Sequence, residues 1–265
     1  MVLETKNIWK KLSLIESSAN EAMQGRLLAV PHDPARDVLV FEPGALPAKK
    51  GLSYAEGQAR LLHDLASIEL QAMELCLRTL IEFRQAPAGF RDELYAITLD
   101  EARHCKLCLQ AIESLGFSWG QWPVHLGLWR AVDSSDTLLD RILIVHRYLE
   151  GSGLDAGETF LRKLDGVSEG AIHKVVRTIC NEEVGHVEFG SRWYRNICAD
   201  EKIDPQDDFA QRLGLLRHRI PKRIEKVSRK LRALAGFTES EILYLEDLRS
   251  SIVKYPEKSP QANSN

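Results

Sequence analysis

Residues 90–115 read FRDELYAITLDEARHCKLCLQAIESL, and residues 171–197 read AIHKVVRTICNEEVGHVEFGSRWYRNI. In the first stretch Leu94, Ile97, Glu101, Cys108 and Ile112 fall on one line. In the second, Ile172, Val176, Ile179, Glu183, Val187 and Gly190 do the same. A helix turns once in 3.6 residues, so spacings of three and four collect these side chains on one face. Each of those faces carries a Glu and a His three residues apart, Glu101 with His104 and Glu183 with His186. Two long amphipathic helices with ionisable pairs on their apolar faces predict a helical core built around those pairs.

The neighbouring sequence extends this pattern. Helical periodicity runs from about Tyr54 to Gln85 and is stopped by Pro87-Ala88-Gly89. The second helix ends at Gly116, a suitable C-cap. A third helix is expected from about Ser135 to Leu164. The fourth is expected from Ser168, as N-cap, to about Ile197. Between the pairs, residues 117–133 form a linker holding Trp119, Trp122 and Trp129. Short turns within each pair and one long connection between pairs predict an all-α four-helix bundle.

Around it, a helix at about 4–28 leads into an arm whose Pro31, Pro34, Pro43 and Pro47 forbid a continuous helix. Only DVLVF, 37–41, alternates like a strand. After Pro205, helical patterns recur at 207–219, 221–235 and 238–252. The expected organisation is an N-terminal arm (1–53), the bundle (54–200), C-terminal helices (201–253) and a mobile polar tail (254–265).

Composition narrows the class. A chain of 265 residues that is 44% hydrophobic and 28% charged has enough apolar material for a core, which excludes wholesale disorder. No apolar run has the length of a membrane span, so no membrane partner is expected. The first residues mix charge with apolar side chains and do not read as a secretory signal. Five cysteines are too few and too odd in number for a disulfide framework, which points to a reducing cytoplasm.

Eight histidines and 23 glutamates in this length would give somewhat under one Glu-x-x-His pair by chance, so two are weak evidence by number. Their placement is the stronger argument. Burying such groups is costly unless they are paired or bind metal. The other two helices each offer an inward carboxylate, Glu69 after Leu62, Leu65 and Ala66, and Glu150 after Leu139, Leu143 and His146. Glu69 to Glu150 is 81 residues, and both Glu101 to Glu183 and His104 to His186 are 82. One helix hairpin is used twice, with a Glu on each first helix and Glu-x-x-His on each second. Four carboxylates and two imidazoles disposed in this way form a ligand set for two iron ions, or alternatively two manganese ions. The expected ligands are Glu69, Glu101, His104, Glu150, Glu183 and His186. His146, one turn before Glu150, is placed behind them.

DEARH and EEVGH resemble the paired motifs of ferritin-like di-iron carboxylate proteins. With IEL around Glu69 and LEGSGLD at Glu150, residues 54–200 resemble a bacterial ferritin-like family of unknown function. That family is itself similar to the tRNA-modifying non-haem di-iron hydroxylase. The resemblance implies the same six metal ligands. It also implies that Asp100 and Glu182, the acids before each ligand Glu, hydrogen-bond the ligand histidines and fix their tautomer. Where the family often has Ala-Arg after the third-helix Glu, this chain has Gly151-Ser152.

Other residues read more plainly. His63 and Glu74 face away from the ligand line, Glu158 is a weak extra ligand, and Tyr194 reads as core. Cys105 and Cys108, lacking a second such pair, read as small buried hydrophobes. Segment 211–232 carries nine Lys/Arg against Glu225. Its Arg219, Lys222, Arg223, Lys226, Arg229 and Lys230 could meet RNA, although a helix laid on the protein's own acidic surface is the favoured reading. The expected function is an O2-dependent oxidase or hydroxylase, with a ferroxidase or peroxide-consuming protein as one alternative and a metal-stabilised RNA-binding bundle as another. A homodimer through the aromatic linker is a further expectation.

Overall fold

The computed structural model describes residues 1–165 and 170–254. Helix α1, Ile8–Met23, begins at Asn7, whose side chain accepts the Lys10 amide, and lies against the first pair of long helices. Those are α2, Ala55–Glu82, and α3, Ala88–Ser114. Pro87 precedes the start of α3, and Gly116 follows its end at a φ of +80°. Almost all of α2 is buried, because α1, α3 and the 115–137 linker enclose it.

Helix α4 spans 138–165 in three consecutive pieces: α-helical Leu138–Ile142, π-helical Leu143–Glu150 and α-helical Gly151–Asp165. Its start lies a turn later than expected from the periodicity, because Thr137 and Asp140 close a capping box there. The π segment was not foreseen either. A wider turn bonded i to i+5 leaves residues four apart nearly one above the other, and His146 stands over Glu150 in this way. Helix α5, Ala171–Glu201, packs along α4 and α3 to complete the bundle. The N-cap expected at Ser168 lies outside the described residues.

Helices α6, Pro205–Leu216, α7, Arg229–Leu234, and α8, Glu239–Lys254, lie against α4 and α5. The helix expected over 221–235 is thus confined to α7. Residues before it bond to the bundle instead: Tyr148 Oη donates to the Pro221 carbonyl, Arg249 to that of Glu225, and the Ser228 amide to Asp155. The six basic residues suggested for RNA therefore do not share one helical face. Arg219 pairs with Asp136 at 2.6 Å, and Arg229 with Glu239 and Glu246. DVLVF contributes one isolated bridge, Val40 to Val124. Among the described residues no helix is long and apolar enough to cross a membrane. Apart from Lys254, the tail expected at 254–265 lies outside them.

Buried charges tie the added segments to the bundle. Glu74 is fully buried between Lys11 and Arg36, so the arm is fastened to α2 by ion pairs. Asp155 accepts from Arg232 and Arg249, each at 2.7 Å, which fixes α7 and α8 to α4. Of the linker tryptophans, Trp129 is buried and donates to the His32 carbonyl, whereas Trp119 stacks on His63.

Candidate metal centre

Helices α3 and α5 bring Glu101, His104, Glu183 and His186 together, with ligand atoms that lie within 4.8 Å of one another. Glu183 Oε1 is 3.2 Å from His104 Nδ1 and 3.3 Å from His186 Nδ1. His186 Nδ1 is also 2.9 Å from Glu101, and His104 Nδ1 is 3.4 Å from Glu69. Both imidazoles therefore turn Nδ1 inward. Their Nε2 atoms face outward to acids on the opposite helix: His104 meets Glu182 at 2.7 Å, and His186 approaches Asp100 at 3.7 Å. Asp100 and Glu182 thus stand behind the histidines, each crossing to its partner helix.

Glu150 faces the same cavity as Glu69, Glu101 and Glu183, but its Oε2 lies 2.9 Å from His146 Nδ1. With the Cys76 thiol, His146 and Glu150 form a second trio of potential ligands. Cys76 was not singled out in the sequence, although it lies seven residues after Glu69 and so on the same helix face. Glu158 is exposed. Tyr194 is buried against Arg147 and bonded to Asp208. Cys105 and Cys108 are free, buried thiols.

The electrostatics follow from packing these groups together. Burial, reinforced by the charge of Glu183, raises Glu101 well above the usual carboxylate range, and burial also raises Glu69. Burial opposes the ionisation of Glu183 too, yet the two histidine rings close beside it hold it down at about 2. For His104, burial works against the proton, but Glu183 and Glu69 outweigh it and push the ring up to about 11. His186 rises too, because Asp100, Glu101 and Glu183 outweigh its burial. Asp100, facing His186 and paired with Arg103, is held down at about 2.

Even with these contacts, His104 Nδ1, Glu101 Oε2, Glu183 Oε1, Glu150 Oε1 and His146 Nε2 are buried without a hydrogen-bond partner. Unpartnered buried nitrogens of imidazole and oxygens of carboxylate, gathered in clusters of three and four potential ligands, suit a hard or borderline divalent cation. The residues fit a metal ion.

A family model described as a protein of unknown function, DUF455, matches residues 4–243. The chain belongs to the DUF455 family. A Haemophilus influenzae (strain Rd) protein described as uncharacterized is 28% identical over 243 residues, 89% of this chain and 82% of that one. No solved structure matches. The family match runs through the arm, the bundle and most of the C-terminal helices, so it takes in the segments around the bundle as well as the site.

Those segments matter because they help build a cavity of about 280 Å³ over the carboxylates. Its walls are mostly apolar, including Leu65, Ile68, Phe160, Val176 and Ile179 from the bundle. Leu46 from the arm, Val124 and Leu128 from the linker and Arg223 from the C-terminal segment close it. No sequence signal marked Arg223 as a cavity residue, since it lies in irregular chain 40 residues beyond Glu183.

Proposed function

We propose that this DUF455 protein is a ferritin-like di-metal carboxylate oxidoreductase. In this reading Glu69, Glu101, His104, Glu150, Glu183 and His186 hold two iron ions, or alternatively manganese, and the reaction is an O2-dependent oxidation of an organic substrate. The observation that carries the reading is the set of unpartnered buried atoms on Glu101, Glu150 and Glu183, which line one cavity, and on His104, which clusters with Glu101 and Glu183. Charge supports the count of two. Four ionised carboxylates contribute −4 with neutral histidines, and two divalent cations supply +4, which leaves the buried site neutral.

When bound, two ferrous ions would supply two of the four electrons that full reduction of O2 takes, the organic substrate would supply the other two, and an external reductant would restore the metals. The protein's part is positional. Glu182 accepts from the Nε2 of His104, Asp100 faces the Nε2 of His186 from 3.7 Å, and the two acids so keep each Nδ1 directed inward. The apolar walls exclude water from the carboxylates. The largely apolar cavity favours an organic substrate over oxidation of free ferrous iron, for which a bare bundle would suffice.

Elemental analysis of natively purified protein tests the reading directly. About two iron or manganese ions per chain are expected, and Glu183→Ala should lose them while the chain stays folded. Ferrous iron plus O2 should then give a transient visible absorption in the wild type alone. Protein without metal, or a variant that keeps the full complement, overturns the assignment.

A further inference from the structure

The C-terminal segment is rich in arginine, and its neighbours are nearly all consumed by carboxylates. Arg212 pairs with Asp140 and Asp208, Arg219 with Asp136, Arg229 with Glu239 and Glu246, and Arg232 and Arg249 with Asp155. Arg223 differs. It lines the cavity, its Nε is buried without a partner, and among the described residues no carboxylate lies within ion-pair distance of it. Lys49, the other cation on the cavity wall, is neutralised by Asp64.

A half-buried guanidinium with an unsatisfied N–H is costly beside an apolar wall unless a ligand brings the missing acceptor. Guanidinium presents its donors as a planar fork that suits carboxylate or phosphate oxygens. The remaining cavity offers Leu65, Ile68, Phe160 and Val176 to whatever is attached to that head group.

We infer that the cavity takes a small amphipathic oxyanion, with its anionic head on Arg223 and its apolar body within the walls. The inference rests on the cavity being the substrate site of the proposed metal centre. The carboxylates of Glu69, Glu101, Glu150 and Glu183 line the same cavity, so they face the apolar body. The acidic side chain nearest in sequence is Glu225. It also lines the cavity, and its carboxylate accepts the Ile224 amide at 3.2 Å.

Calorimetric titration of the full chain, as purified and with its metal content recorded, separates the outcomes. The probes are decanoate, decyl phosphate, decanol and decylamine. At least one of the two oxyanions should bind about tenfold or more tightly than decanol, the range expected for a charge-assisted pair, and the comparison between them identifies the head group. Arg223→Gln should remove that preference and leave decanol unchanged, and Arg223→Lys should restore part of it. Thermal unfolding confirms that each variant is folded.

Equal binding of decanoate, decyl phosphate and decanol overturns the proposal. So does preferred binding of decylamine, which would assign the cavity mouth to Glu225. Decanoate binding that survives Arg223→Gln but disappears on chelation puts the head group on the metal, which overturns the inference and leaves the metal reading intact. Arg223-dependent oxyanion binding to protein that holds no metal does the reverse.

Discussion

His104 and Glu182 sit on different helices of the bundle, and their side chains meet at 2.7 Å, Nε2 to Oε2. The contact runs opposite to the ring's other nitrogen, which faces Glu69 and Glu183. An acceptor at Nε2 keeps the proton there and leaves Nδ1 free to bind. Arg103 holds Glu182 in place at 2.6 Å. The companion contact, His186 to Asp100, is looser at 3.7 Å.

Glu182→Ala should therefore weaken metal binding by about 10–100-fold, the usual effect of losing a partner behind a ligand histidine. Asp100→Ala should have a smaller effect because its contact is longer. Competition with a chelator of known affinity measures both. Loss of affinity in Glu188→Ala, a neighbouring α5 acid paired with Arg192, would point to a general effect of surface charge instead.

Why the Glu-x-x-His pairs are legible in sequence, and the His104–Glu182 contact is not, is a question of range. Glu101 and His104 share a face because one helical turn fixes their angle, whatever the rest of the chain does. Which acid stands behind His104 depends on the register between α3 and α5. Periodicity does not supply that register, and only resemblance to a family suggested Asp100 and Glu182. The π turn at Leu143–Glu150 escaped because its residues have ordinary helical apolar spacing. The cavity place of Arg223 and the buried pairing of Arg232 escaped because a basic run looks the same whether its charges face solvent, a cavity or a buried aspartate. The helix expected over 221–235 failed for the same reason: Asp155, 70 residues away, decides where that chain lies.

Gly151, where the resembling family often has Ala, shows such a long-range constraint. A Cβ there would lie 2.3 Å from Arg232 Nη1, and that guanidinium is buried with Asp155 and the Arg147 carbonyl as partners. Gly151→Ala should displace Arg232 and cost about 2–4 kcal/mol, within the range for disturbing a buried ion pair. Gly185, mid-helix in α5 with open space around it, supplies the control. Gly185→Ala should stabilise by roughly 0.5–1 kcal/mol. Denaturant midpoints read both, and equal behaviour of the two variants would count against the steric account.

His63 makes stability depend on pH. Its Nε2 accepts the Gly120 amide at 3.1 Å, so the neutral ring carries its proton on Nδ1, stacked against Trp119. Burial pushes its pKa from 6.5 down to about 4. Between those values the unfolded chain takes up a proton that the folded chain refuses, so stability falls as pH drops through that window. The loss is at most about 3 kcal/mol. His63→Phe should flatten this part of the profile relative to the wild type, as read from urea unfolding at several pH values. Parallel profiles would mean that other groups set the slope.

The metal centre should show its own pH dependence, of known sign. Without metal, the raised Glu69 and Glu101 and the raised His104 and His186 hold protons where cations would sit. Binding must expel them, because a protonated Nδ1 or carboxyl oxygen has no lone pair to give. Affinity for iron or manganese should therefore rise with pH, falling about tenfold or more from roughly pH 8 to roughly pH 6. Calorimetry in buffers of different ionisation enthalpy counts the released protons directly. Release of more than one proton per chain is expected. Binding with no proton release would mean that the cations avoid His104 and His186 and sit elsewhere on the protein.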